Sequence, residues 1–69
     1  MNKIVRLIHK DRELKNAIIN ACKHDGDPLT PQAIDYWKKL PLGVPAKRVH
    51  TVARVMRLPP QTIRPDIFK

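Results

Sequence analysis

The sequence predicts an all-α domain of four to five short helices. Apolar residues recur at helical spacing through most of the chain, and no window of adequate length alternates apolar and polar residues as a half-buried strand does. The two glycines and seven prolines fall between the periodic segments, where they end one helix and let the next begin. The length fits one domain covering residues 1 to 69, and prolines occupy the region where a C-terminal hairpin would form.

Two helical segments are expected before the first turn. The first covers about residues 3 to 9, and its apolar face carries Ile4, Leu7 and Ile8. Asp11 can cap a second segment from about residue 12 to 24, although the two segments can also form one bent helix, because neither glycine nor proline separates them. The apolar stripe of the second segment is Leu14, Ala17, Ile18, Ala21 and Cys22. Gly26 and Pro28 then stop the helix.

The third segment runs from Thr30 to about residue 40 and begins with strong helix-start signals. Thr30 is suited to accept a hydrogen bond from a free backbone amide, and Pro31 stands where a missing N–H costs nothing. Ile34 and Trp37, three residues apart, make an inward edge that packs in the core. The remaining side chains of this helix are expected to face outward.

A fourth helix follows a second turn and covers about residues 45 to 57. Its predicted core positions are Val49, Val52, Ala53 and Met56. A last helical turn begins at Pro60. Residues 64 to 68 are predicted to form an extended tail that packs Ile67 and Phe68 back onto the bundle.

The charge balance predicts a polyanionic partner. Fourteen lysines and arginines face six acidic residues, which leaves a formal net charge of +8 on a small body. The cations recur along the whole chain, so the excess is a property of the domain and not of a tail. Such a density favours nucleic acid.

Cysteine content and hydropathy favour a cytoplasmic protein. The single Cys22 excludes an internal disulfide and is expected to be a small buried thiol. No apolar run approaches the roughly 20 residues that a membrane span needs, so no membrane partner is expected. The predicted location is the cytoplasm.

The second and third segments have the arrangement of a helix-turn-helix motif, in which the second helix enters the major groove of DNA. The side chains expected to read bases are Gln32, Ala33 and Tyr36. Those expected to hold phosphates are Thr30, Lys38, Lys39, Lys47 and Arg48. Glutamine can bond adenine with two hydrogen bonds, and alanine can touch a thymine methyl. Asp35 can accept from cytosine, but an exposed role or a salt bridge with Lys38 or Lys39 is favoured.

Three stretches in order resemble the Cro-type repressors of phages and prophages, including their antitoxin-like relatives. They are residues 30 to 37 (TPQAIDYW), residues 44 to 49 (VPAKRV) and residues 63 to 68 (IRPDIF). The resemblance implies a small helix-turn-helix domain, similar to the lambda repressor fold, in which the first stretch is the recognition helix. It also implies that the Arg-Pro-Asp-Ile-Phe ending closes the domain. The connection around Gly26 is longer than the family pattern.

The expected function is that of a transcriptional repressor that binds an inverted-repeat operator as a homodimer, with two recognition helices about 34 Å apart. The candidate dimer contacts are residues 59 to 68 and the helix from Pro45. Two alternatives remain open. One is a protein-binding regulator, such as an antitoxin or a phage-encoded inhibitor, and the other is a nucleic-acid binder without sequence preference.

Catalysis, metal binding and cofactors are not expected. The possible metal ligands are His9, Cys22, His24 and His50, which lack the paired spacing of a structural zinc site. The chain has no phosphate-binding glycine loop, nucleophile elbow or carboxylate pair. A bundle of this size also has little room for a substrate pocket.

Overall fold

The computed structural model describes residues 2 to 68, which form five α-helices and two short 3-10 helices. The α-helices are α1 (Lys3–Lys10), α2 (Arg12–His24), α3 (Pro31–Tyr36), α4 (Val49–Met56) and α5 (Pro60–Ile63). The 3-10 helices are Trp37–Lys39, directly after α3, and Ala46–Arg48, directly before α4. No strand occurs in this range, and the all-α prediction is confirmed.

The first two segments are separate helices. The backbone of Asp11 is extended, with φ −117° and ψ 103°, and cannot continue α1. Its Oδ1 accepts hydrogen bonds from the amides of Glu13 (3.0 Å) and Leu14 (3.2 Å), which caps α2. Asn2 caps α1 in the same way. The predicted boundaries of α2 are confirmed.

One core joins all five helices. Its buried members are Ile4, Val5, Ile8, Ile18, Cys22, Leu29, Ile34, Trp37, Val44, Val49, Val52, Ala53 and Ile63. The predicted burial of Ile34, Trp37 and Cys22 is confirmed. The prediction for α1 was wrong in part, because Val5 is fully buried while Leu7 is 43% exposed. The inward face of α1 is therefore rotated away from Leu7.

The long connection between α2 and α3 is tightly held. Gly26 has φ +82°, and the amide of Asp27 donates to the carbonyl of Cys22 at 3.0 Å, which closes the end of α2. Arg48, arriving from beyond α3, donates to the carbonyls of Asp27 (2.7 Å) and Pro28 (3.4 Å). The extra residues of this turn thus form ordered structure packed against the start of α4.

The third and fourth helices are each part 3-10. Pro41 disfavours the α conformation at Leu40, so the last turn tightens and the Leu40 amide donates to Trp37 at 3.1 Å. The fourth helix begins with a 3-10 turn in which the Arg48 amide donates to Pro45 at 2.9 Å. The α-helical part of each is therefore shorter than predicted.

The C-terminal residues fold into a turn and not into the predicted extended tail. The guanidinium of Arg64 donates two hydrogen bonds to Asp66, at 2.8 and 2.7 Å, and a third to the Val44 carbonyl at 2.8 Å. The backbone amides of Ile67 and Phe68 donate to the Arg64 carbonyl at 3.2 and 3.0 Å, which closes the turn. The ring of Phe68 packs edge-on against His50 with centroids 5.1 Å apart, as expected, whereas Ile67 is exposed.

None of the helices within residues 2 to 68 is long and apolar enough to cross a membrane.

Candidate nucleic-acid interface

The first turn of α3 is capped by Thr30. Its Oγ1 accepts a hydrogen bond from the amide of Ala33 at 3.1 Å, and Pro31 occupies the first helical position. A hydroxyl that accepts in this way keeps its own proton free to donate. Because Thr30 is exposed, that proton is available to a phosphate oxygen.

Two of the three predicted base-reading side chains face outward. Gln32 is exposed, and Tyr36, one helical turn further on, is 57% exposed. Residues four apart share a side of a helix, so these two side chains stand on one side of α3. Ala33 is only half-buried and packs partly against the core. Its methyl group is thus less accessible than Gln32 or Tyr36.

Asp35 is the centre of a charged cluster beside α3. Its Oδ1 lies 2.8 Å from Nζ of Lys15 on α2 and 3.7 Å from Nδ1 of His9 on α1. The hydrogen bond from Lys15 lowers the pKa of the Asp35 carboxyl, and the charges of Lys15 and Lys38 lower it further. The salt bridge expected with Lys38 or Lys39 is replaced by one with Lys15.

His9 links α1 directly to the backbone of α3. Its Nε2 lies 3.1 Å from the carbonyl oxygen of Ile34, and since a carbonyl only accepts, Nε2 carries the proton. The side chain is 11% exposed. Burial lowers the pKa of His9, the hydrogen bond to Ile34 opposes that shift, and the charges of Lys38 and Lys15 add to it. The neutral ring is the form that this site favours.

Lys15 and Lys38 lie near this cluster, and further lysines follow α3 along the chain. Lys38 lies close enough to act electrostatically on both His9 and Asp35, and Lys39 is exposed beside it. Lys47 is exposed on the 3-10 helix before α4. Lys15 is a further cation that the sequence analysis did not assign to this surface. It lies 20 residues from Asp35, and no local spacing rule connects them.

Arg48 lies elsewhere, which corrects its assignment as a phosphate ligand. Its side chain is 9% exposed, and its guanidinium donates to two carbonyls of the α2–α3 turn while Nη1 stands 3.3 Å from Oδ2 of Asp27. These partners hold the donors inward. Arg48 thus stabilises the turn that positions α3.

A second ion pair ties the end of α2 to α4. Asp25 accepts from Arg54 at 2.7 Å and from the hydroxyl of Thr51 at 3.2 Å. The hydrogen bond from Arg54 lowers the pKa of the Asp25 carboxyl. Together with Arg48, this pair fixes both ends of the turn before α3.

The described residues contain no group of three or more histidine, cysteine or carboxylate side chains placed to hold a metal ion. Comparison with protein-family models, with curated proteins and with solved structures finds no match to this chain.

Proposed function

We propose that this protein is a sequence-specific DNA-binding regulator that lays α3 into the major groove. The observation that carries the proposal is the two-sided character of α3. Ile34 and the following Trp37 anchor it in the core, while Gln32 and Tyr36 are exposed. Lys15 and Lys38 lie near Asp35 of the same helix. A helix supported from behind and flanked by positive charge is what groove recognition requires.

The proposed roles divide between base edges and backbone. The amide of Gln32 suits adenine, the hydroxyl of Tyr36 can donate or accept at a base edge, and Ala33 offers a small apolar contact. The phosphate ligands are Thr30, Lys38, Lys39 and Lys47. Each neutralised phosphate releases counterions whatever the base, so this group supplies affinity rather than specificity.

Asp35 is compatible with a DNA surface because Lys15 compensates its charge. A free carboxylate would repel nearby phosphates, but its Oδ1 is held by an ammonium group at 2.8 Å. We propose that Asp35 supports this surface by positioning Lys15 and does not itself read bases.

In its full form, the proposal is a Cro-like phage or prophage repressor. It acts as a homodimer on an inverted-repeat operator in the cytoplasm of a bacterial host. The motifs of residues 30 to 37, 44 to 49 and 63 to 68 support this finer statement, together with the net charge of +8.

The test begins with selection of bound duplexes from a random DNA pool, followed by titration of a selected and a scrambled duplex at several salt concentrations. We expect an inverted repeat, tighter binding to the selected duplex, and affinity for both that falls steeply with salt. Equal affinity for both duplexes would favour a binder without sequence preference. Absence of DNA binding, together with capture of a protein partner that survives high salt, would favour the protein-binding regulator.

Substitutions test the division of roles. Gln32→Ala should relax preference at one base pair by about 1–3 kcal/mol, whereas Lys39→Ala should weaken all duplexes about equally and lower the salt slope by about one. Gln61→Ala is the matched control, because Gln61 is an exposed glutamine on α5. Uniform losses from Gln32→Ala across all sequences would refute its role as a base reader.

A further inference from the structure

An apolar groove opens at the corner where α1 meets α2, beside the end of α4. Its volume is about 630 Å³, and its apolar lining comes from Leu7, Leu14 and Met56. Leu7 is 43% exposed, whereas Ile4, Val5 and Ile8 of the same helix are buried.

The rim of the groove carries four consecutive charges of alternating sign: Lys10, Asp11, Arg12 and Glu13. All four residues are exposed, and none of them forms an ion pair with another side chain among residues 2 to 68. Asp11 uses Oδ1 to cap α2, which leaves its second oxygen available to a partner. The rim therefore carries both positive and negative charges that are not paired within residues 2 to 68.

We propose that this groove is the contact between two copies of the chain related by a two-fold axis. The charge order plus, minus, plus, minus is its own complement when it is read in the opposite direction. An antiparallel arrangement sets Lys10 opposite Glu13 of the second copy and Arg12 opposite its Asp11. A two-fold contact repeats each pair, so all charges of both rims are matched.

Other occupants match this rim less well. A phosphate backbone meets repulsion from Asp11 and Glu13, and an acidic or a basic peptide meets like charge at half of the four positions. The second copy brings the reversed series together with its own Leu7, which can enter the facing groove. Affinity then comes from the apolar floor, while the exposed ion pairs set the orientation.

The contact is expected to be small. An ordinary stable interface covers about 800 Å² on each partner, which is a large share of the 4761 Å² surface of this chain. A groove at one corner covers less, so we expect a reversible dimer that forms at high protein concentration. The contact needs no DNA, and its test stands apart from that of the proposed function.

The first experiment is sedimentation velocity of the free protein across the micromolar to millimolar range. We expect dimer formation with rising concentration, and Leu7→Ser should raise the dissociation constant at least about tenfold. Leu42→Ser is the matched control, because Leu42 is 53% exposed and lies outside the groove. Circular dichroism checks that both variants fold. A wild-type chain that stays monomeric throughout, or equal effects of the two variants, would overturn the proposal.

A charge exchange tests the antiparallel register. Lys10→Glu sets two carboxylates face to face at each end of the contact, and Glu13→Lys sets two ammonium groups there, so each variant alone should dimerise more weakly than the wild type. An equal mixture of the two restores both opposite-charge pairs and should form a heterodimer. Dimers of either variant alone as tight as those of the wild type, or a mixture that associates no more tightly than the single variants, would refute the proposed pairing.

Discussion

At the scale of single residues, His9 best illustrates how one side chain supports the candidate interface. Its Nε2 donates to the backbone of α3, and its Nδ1 faces the Asp35 carboxylate at 3.7 Å. Because burial favours the neutral ring, the pKa of His9 lies below its ordinary value of 6.5. Protonation thus acts against the folded state.

The stability of the fold should depend on pH through His9. Just below pH 6.5 the unfolded chain binds more protons at His9 than the folded chain does. The contribution of His9 to the stability of the fold is therefore complete above pH 6.5 and declines as the pH falls. The pKa values of the Asp25, Asp35 and Asp66 carboxyls are also lowered, so protonation of these groups below about pH 3.8 causes a second loss of stability. Thermal unfolding followed by circular dichroism should show both stages.

The variant His9→Gln tests whether His9 causes the loss of stability just below pH 6.5. The glutamine amide can donate to the Ile34 carbonyl but does not titrate, so the decline just below pH 6.5 should flatten. His24→Gln, at an exposed histidine, should leave the decline in place. An unchanged pH profile in His9→Gln would show that other groups produce the upper stage.

At the scale of elements, the loop after α3 and the start of α1 depend on each other. Gly43 has φ +82°, and a Cβ there would lie 2.6 Å from Cγ of Asn2. The same Asn2 side chain accepts hydrogen bonds from the amides of Ile4 and Val5 and so caps α1. The glycine is therefore needed for its conformation and for the space that it leaves to the cap.

Two glycine substitutions separate these effects. Gly26→Ala, at the same φ but in open space, should cost only the strain of a left-handed alanine, about 1 kcal/mol. Gly43→Ala should cost that amount and also disturb the Asn2 cap, for a total of about 2 kcal/mol. Urea unfolding measures both free energies. Equal losses of unfolding free energy in the two variants would show that the Asn2 side chain moves away from residue 43 without destabilising the fold.

At the scale of the whole molecule, the net charge of +8 is confined within extents of 27 × 22 × 17 Å. At about 0.01 M salt the screening length is about 30 Å, so cations on opposite sides of the molecule repel one another. Four ion pairs among the described residues offset only part of this repulsion. The excess charge favours a polyanionic partner and weakens the free fold.

Salt should therefore stabilise the free protein. We expect the melting temperature at pH 7 to rise between about 0.01 M and 0.15 M sodium chloride, as the screening length falls to about 8 Å. Replacing the exposed Lys3 and Arg6 by glutamine removes two positive charges and should reduce the rise. A melting temperature that falls with salt would show that the ion pairs outweigh the general repulsion.

The features that depend on neighbouring residues could be predicted from the sequence. The caps at Asp11 and Thr30, the bounds of α2, and the inward edge of Ile34 and Trp37 all depend on spacings of a few residues. Helical periodicity and capping act within one or two turns, so the chain order is enough to predict them. The outward position of Gln32 and Tyr36 follows from the same periodicity.

Contacts between distant segments were decided by the tertiary fold. Arg48 turns inward to the carbonyls before α3, Lys15 pairs with Asp35 across 20 residues, and Arg64 bends the tail while it holds the Val44 carbonyl. A long basic side chain has the same local propensity whether its charge reaches solvent or a buried carbonyl. Only the packing of the helices sets which acceptor lies within its reach, and that packing depends on the whole chain.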